Sequence, residues 1–231
     1  MSRYTMILWA RPKDIGIDDM ADIAYKILVC LNNYGDEVSP KYTTAMKKSL
    51  AKNFVMDRNS TKALLEKCID KTAFRLFNNY ISQISFFSSM EEERSSGISI
   101  SIGRCNPMFN NTLIVDLPER FSGLSERRKE FVVLFQQLIE IFNPYYGFVP
   151  CGNDERPDDG FWKNDKPTGV HWMNYYNEST AESIGLKRLA SIKEVKRLGS
   201  GYFFMLQDEP LNIGNLRHVL RKKKATERLG F

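Results

Sequence analysis

Apolar residues along the first third of the chain change their spacing twice. Residues 4–10 form a short apolar run closed by Arg11 and Pro12, the length of a strand. Ile17, Met20, Ala21, Ala24, Ile27, Leu28 and Leu31 then recur every three or four positions, which predicts an amphipathic helix. Asp18, Asp19 and Asp22 suit the positive end of its dipole, and Gly35 is its stop signal. Residues 39–56 show no clear period and read as extended. Ser60 or Thr61 can cap a second helix, with Leu64, Leu65, Cys68 and Ile69 on its inner face.

The middle of the chain is predicted to be β-rich. Residues 79–88 contain Tyr80, Ile81, Ile84, Phe86 and Phe87, and residues 97–103 alternate Ile with Ser between two glycines. Such alternation marks a strand with one wet face. After a turn at Asn106 and Pro107, residues 111–117 read as a third strand, so three consecutive strands predict an antiparallel meander. Ser125 is then placed to cap a long helix through Phe142, with Phe131, Leu134, Phe135, Leu138 and Phe142 inward and Asn143-Pro144 ending it.

From Tyr145 onward aromatics become dense, eight in residues 145–176, about twice the chain's average of 12%. Residues 172–176 read as a strand, 181–189 as a short helix and 202–207 as another strand. Residues 213–224 read as a final helix with Ile213, Leu216 and Leu220 inward. Runs of strands flanked by helices predict an α+β fold, an antiparallel sheet with a central β-meander. Nothing in composition divides the 231 residues, so a single domain over 1–231 is expected, ending in a basic helix and tail at about 212–231.

Composition narrows the classes. The longest apolar runs, residues 6–10 and 131–135, fall far short of the roughly 20 residues needed to cross a bilayer. The first residues lack a secretory signal's long apolar stretch and small-residue cleavage site. Cys30, Cys68, Cys105 and Cys151 are widely spaced with no CxxC pair, which predicts reduced, mostly buried thiols and a cytoplasmic protein without structural zinc. The net charge of +5 has one location. Residues 217–231 carry Arg217, Arg221, Lys222, Lys223, Lys224 and Arg228 against Glu227, and the remainder balances 27 basic with 27 acidic residues. A nucleic-acid binder spreads its cations along a face or groove; the sequence shows one terminal cluster, so no specific nucleic-acid partner is expected.

Catalytic signals are sparse. His218 falls in the basic helix and is expected to face solvent, while His171 beside Trp172 is expected to be packed or hydrogen-bonded. No GxSxG elbow accompanies them, and two isolated histidines suggest neither a metal site nor a cofactor. Gly199-Ser200-Gly201 reads as the turn before a strand and not as a phosphate loop. Pro157-Asp158 followed by Glu194-Val195-Lys196 imitates the PD…ExK pattern of metal-dependent nucleases. Its 36-residue gap is long, and residues 191–198 look like a charged helical stretch and not a buried strand. A nuclease or nucleic-acid-binding protein using the basic tail is therefore an alternative reading. A non-enzymatic adaptor module is another.

Residues 151–165 stand out differently. Asp154, Glu155, Asp158, Asp159 and Asp165 outnumber Arg156 and Lys163, with Phe161 and Trp162 among them. Apolar anchors ringed by charge are the anatomy of a protein interface, so these residues are candidates for binding a basic partner. Trp172 and Tyr175 are expected in the core beneath.

In this region the chain resembles a family. Tyr145-Tyr146-Gly147, Arg156-Pro157 and Gly169-Val170-His171-Trp172-Met173-Asn174-Tyr175 are similar to the central signature of bacterial polymorphic-toxin immunity proteins, closest to the immunity protein 52 family. Gly201-Tyr202-Phe203-Phe204 and Asp208-Glu209-Pro210-Leu211 resemble that family's ending, and related type VI secretion immunity families share a similar Trp-Tyr strand. The resemblance implies a cytoplasmic, non-enzymatic α+β protein that binds one cognate toxin and occludes its active site or substrate groove. Gly147, Arg156, Pro157, Gly169, Trp172 and Tyr175 would be its structural signature. Family toxins are often nucleases met by acidic immunity faces, from which a net +5 departs.

Overall fold

Strand Thr5–Ala10 hides every second side chain: Met6, Leu8 and Ala10 are buried, while Thr5, Ile7 and Trp9 are half-exposed. That alternation sorts the protein into two layers of packing on one sheet. The computed structural model describes residues 4–44, 51–69, 82–104, 106, 109–118, 121, 124, 126–150, 162–163 and 166–231. In chain order the elements are β1 (Thr5–Ala10), α1 (Ile17–Tyr34), β2 (Tyr42–Thr43), α2 (Arg58–Lys67), β3 (Ser82–Phe87), β4 (Gly97–Ile102) and β5 (Asn111–Asp116). They continue with α3 (Arg128–Phe142), β6 (Tyr146–Val149), β7 (Trp162–Lys163), β8 (Lys166–Pro167), β9 (Met173–Asn177), α4 (Glu178–Ile184), α5 (Leu186–Ala190), β10 (Lys196–Leu198), β11 (Gly201–Met205) and α6 (Leu216–Leu229).

Nine strands pair antiparallel in the order β10-β11-β9-β6-β1-β5-β4-β3-β2, an open sheet; β7 and β8 form a separate ribbon. The expected meander is β3-β4-β5, in register Ile84↔Ile100 and Ile100↔Leu113. One face packs Met6, Leu8, Ile84, Ile100 and Leu113 against α1 and α3. Among the described residues the other face is covered by helices over β6, β9 and β11, where Tyr146, Phe148, Tyr176 and Phe204 meet α4, α5 and α6. Over the meander it carries mostly polar side chains, Gln83, Ser85, Ser99 and Thr112, with Ile114 half-buried among them. Hence β5 alternates throughout and β4 over its first four residues, whereas all four residues of β6 are buried. Among the described residues no helix is long and apolar enough to cross a membrane.

Several boundaries depart from expectation for local reasons. Asp57, not Ser60 or Thr61, caps α2: its carboxylate accepts from the Ser60 N–H (2.8 Å) and hydroxyl (2.6 Å), so the helix begins three residues early. Gly35 ends α1 at φ 144°, ψ 176°, a conformation open essentially to glycine alone. Asn143 ends α3 in the left-handed region (φ 49°) before Pro144. Ser125 lies outside the described residues, and α3 starts at Arg128 without a side-chain cap. The expected helix over 181–189 is two, parted by Gly185 at φ 103°. Residues 191–198 are not helical; they form a turn and then edge strand β10. Cys30 and Cys68 are free and half-buried, less buried than expected, and burial pushes the Cys30 thiol up to about 11.

Helices α1 and α2 are joined by charge. Arg58 hydrogen-bonds Asp22, and Lys62 reaches Asp18 at 2.8 Å. The Lys62 contact, helped by Arg58, holds the Asp18 carboxyl below its ordinary value. A carboxyl depressed in the folded chain stabilises it fully above the unfolded value of about 3.9, and that contribution is lost as pH falls through the lower folded value. The effect is small because Asp18 is largely exposed. Urea midpoints over an acid series should therefore show the native chain losing its advantage over Asp18→Asn below about pH 4; a constant difference would remove this pair as the cause.

Candidate functional site

The signature strand leads from the core to the surface. Trp172 is fully buried, stacked on Phe131 of α3 (centroids 5.9 Å, planes 10° apart) and edge-on to Tyr4 (6.0 Å). Its indole N–H donates to the Gln207 carbonyl at 3.1 Å. The Gln207 side chain in turn accepts from Arg221 of α6 at 3.4 Å. A core aromatic is thus two contacts from a surface cation. Tyr4 fixes the intervening segment, its hydroxyl donating to the Leu211 carbonyl at 2.7 Å.

Helix α6 starts at Asn215, whose side chain accepts from the Arg217 N–H (3.0 Å), and ends at Gly230 in the left-handed region (φ 80°). Ala225 and Leu229 are its buried anchors. Ile213, Leu216 and Leu220, expected to point inward, are exposed, Leu216 by 71% and Leu220 by 48%. Rotation of the helix decides this: the face seated on the body runs through His218, Lys222, Ala225 and Leu229, so an apparently polar stripe is the packed one. His218 correspondingly does not face solvent. Its side chain is 13% exposed, Nδ1 accepts from the Asn212 N–H at 3.2 Å, and Nε2 lies 3.7 Å from Glu209.

With α6 so rotated, Arg217, Arg221, Lys224 and Arg228 line up along one wall of a groove of about 600 Å³. Residues Ile192, Lys193 and Glu194 form the facing wall, and Met205, Leu206 and Gln207 contribute to the floor. Glu194 turns the chain there at φ 62° and pairs with neighbouring Lys193 at 3.2 Å. Among the described residues no carboxylate pairs with the four aligned cations, whereas Arg58, Arg127 and Arg197 each have an acidic partner. The chain's charge excess therefore faces a concave, partly apolar surface.

The proposed interface residues Asp154, Glu155, Asp158, Asp159, Phe161 and Asp165, and signature residues Arg156 and Pro157, lie outside the described residues. Trp162 begins β7. The PD…ExK reading is left with its second half, Glu194 exposed in a turn and Lys196 exposed on the edge strand. Tyr175 is buried in the main core, as expected, and a Cβ on Gly147 would strike the Leu8 side chain. Around Gly169 a Cβ would meet open space. His171 is buried and stacked on Phe148 at 4.6 Å, and Asn174 brackets its backbone through Oδ1 (2.9 Å) and Nδ2 (2.7 Å). Burial raises the Tyr146 and Tyr176 hydroxyls well above their ordinary values, so both are neutral packing groups. The groove's facing wall was not legible in the sequence. The i, i+4, i+7, i+11 spacing of Arg217, Arg221, Lys224 and Arg228 was the available signal.

No protein-family model matches the chain, and no curated protein matches it. Among solved structures it is similar to the Pseudomonas aeruginosa T6SS protein PA0821, with a TM-score of 0.66 at 9% identity, over 99% of this chain and 73% of that one. The likeness is one of fold.

Trp172→Ala should cost about 3–5 kcal/mol in chemical denaturation, the usual range for a buried large aromatic. Gly201→Ala should destabilise by about 1–3 kcal/mol, because its Cβ would overlap the Tyr176 carbonyl oxygen and the Tyr175 ring. Native stability in either variant would contradict this packing.

Proposed function

We propose that this protein is a cytoplasmic, non-enzymatic binding protein that neutralises a toxin of a type VI secretion system by occluding its active site or substrate groove. The observation that carries the reading is the fold likeness to a type VI secretion protein across nearly the whole chain. The resemblance to immunity proteins around Trp172 and Tyr175 supports it, and both residues are buried in the main core. The acidic segment with Asp154, Glu155, Asp158, Asp159 and Asp165 is the sequence's own candidate for contact with a basic toxin surface, Phe161 and Trp162 being its apolar anchors.

Co-expression with the toxin encoded beside this gene should rescue cells, and the two proteins should copurify. Reversing Asp154, Glu155, Asp158 and Asp159 to Lys should slow association, because rim charges act mainly on encounter. Trp162→Ala should cost about 2 kcal/mol or more of binding if it is a buried anchor. Full protection by a folded charge-reversed variant removes that segment from the interface; failure of the native protein to bind the toxin of its own locus removes the function.

The aligned cations of α6 favour a second reading, binding of nucleic acid. With so few phosphate contacts available, duplex DNA binding should be weak and vanish at moderate salt. Salt-resistant or sequence-selective binding in a mobility-shift titration would put nucleic acid first.

A further inference from the structure

The groove beside α6 has a more specific reading than a basic patch. Arg217, Arg221, Lys224 and Arg228 recur at one face of the helix, the first and last 11 positions apart, about 16 Å at 1.5 Å per residue. Like charges three or four positions apart destabilise a helix, and no described carboxylate relieves these four. Beside them Leu216, Val219 and Leu220 are exposed, an apolar stripe one position away from the charged one. Of this aliphatic stripe Leu220 also lines the groove, so the concavity joins the four cations to the edge of an exposed apolar strip.

We propose that this groove docks an acidic amphipathic helix of a partner protein, its carboxylates against Arg217, Arg221, Lys224 and Arg228 and its apolar face over Leu216 and Leu220. The inference rests on the reading of this protein as one that acts by binding another. Charge complementarity selects an anionic occupant, and the aliphatic stripe selects among anions. Single-stranded nucleic acid stacks its bases on aromatic rings, and none of the groove's lining residues is aromatic. Glu194 and Asp208, which also line it, repel a continuous phosphate backbone but leave spaced carboxylates room to pair. An amphipathic helix uses both stripes at once, since its side chains repeat with the period that sets out the cations. Such a surface acts chiefly through register: the partner's carboxylates must follow the same spacing to engage all four cations.

The probe is a labelled helix-forming peptide of about 14 residues with Glu at i, i+4, i+7 and i+11 and Leu on the adjoining positions, a spacing of about 1.5 Å per residue. A peptide of identical composition in scrambled order and a short DNA duplex serve as comparisons, read by fluorescence anisotropy on the full chain. The ordered peptide should bind more tightly than either. Arg221→Glu with Lys224→Glu should weaken it by about tenfold or more and flatten its salt dependence, as loss of steering and pairing requires. Leu216→Ser with Leu220→Ser should weaken the ordered peptide while leaving weak DNA binding unchanged. All four side chains are exposed, so each double variant should remain folded, with native helix content by circular dichroism. Equal binding of the scrambled peptide, tighter binding of the duplex, or indifference to the Arg221 and Lys224 reversals would overturn the proposal. So would sedimentation showing the groove closed by a second copy of the chain. Copurification of a toxin with a failed peptide assay leaves the function standing without this site; peptide binding without a toxin leaves the site standing without the function.

Discussion

The pairing of β1 with both β5 and β6 is the constraint on which the rest depends. The first strand of the chain lies fifth in a sheet of nine, bonded to the meander through Leu8↔Leu113 and to the aromatic half through Leu8↔Gly147. No other described strand joins those halves. Its own side chains serve both faces, Met6 and Leu8 toward α1 and α3, Ile7 and Trp9 toward the second cluster. The close approach at Gly147, where Leu8 occupies the space of a Cβ, follows from that central position.

The aromatic half converts this pairing into a surface. β6 and β9 are covered on both faces, so their buried polar groups need partners within the protein. The Trp172 indole finds one in the Gln207 carbonyl, which places the Gln207 side chain under α6 and in reach of Arg221. Leu229 and Ala225 seat the helix, and the direction of its basic residues follows from those two anchors. Functional chemistry at this site is electrostatic and positional: four cations set in line over a partly apolar floor, with Glu194 and Asp208 also among the lining residues.

The sequence thus offers the proposed binding protein two candidate contact regions of opposite sign, the acidic aromatic residues of 151–165 and the basic groove of α6. A partner that presents both a basic region and an acidic helix would be held in one orientation, since reversed docking would oppose like charges. The excess of +5, at odds with a uniformly acidic inhibitor, is then a property of one helix and not of the whole face offered to a partner.

Periodicity determined α1, the meander, α3 and the burial of Phe131 and Leu138, because each of these elements shows one unbroken apolar face to a single core, whereas Trp172 and Tyr175 are legible only as large aromatics expected in the core. Local chemistry was nearly sufficient at Gly35 and Asn143, where only a few residue types tolerate the backbone. Tertiary structure decided what was ambiguous within a residue type. α6 carries two candidate stripes, and the more apolar one, with Leu216 and Leu220, is the exposed one because Ala225 and Leu229 meet the second cluster first. β10, with two of its three residues charged, is held by its register to β11, Arg197↔Tyr202, and no propensity announces it. The groove itself joins residues 192–194, 205–208 and 217–228. Its cations are written in the sequence at helical spacing, but the wall they face exists only once the sheet has brought distant segments together.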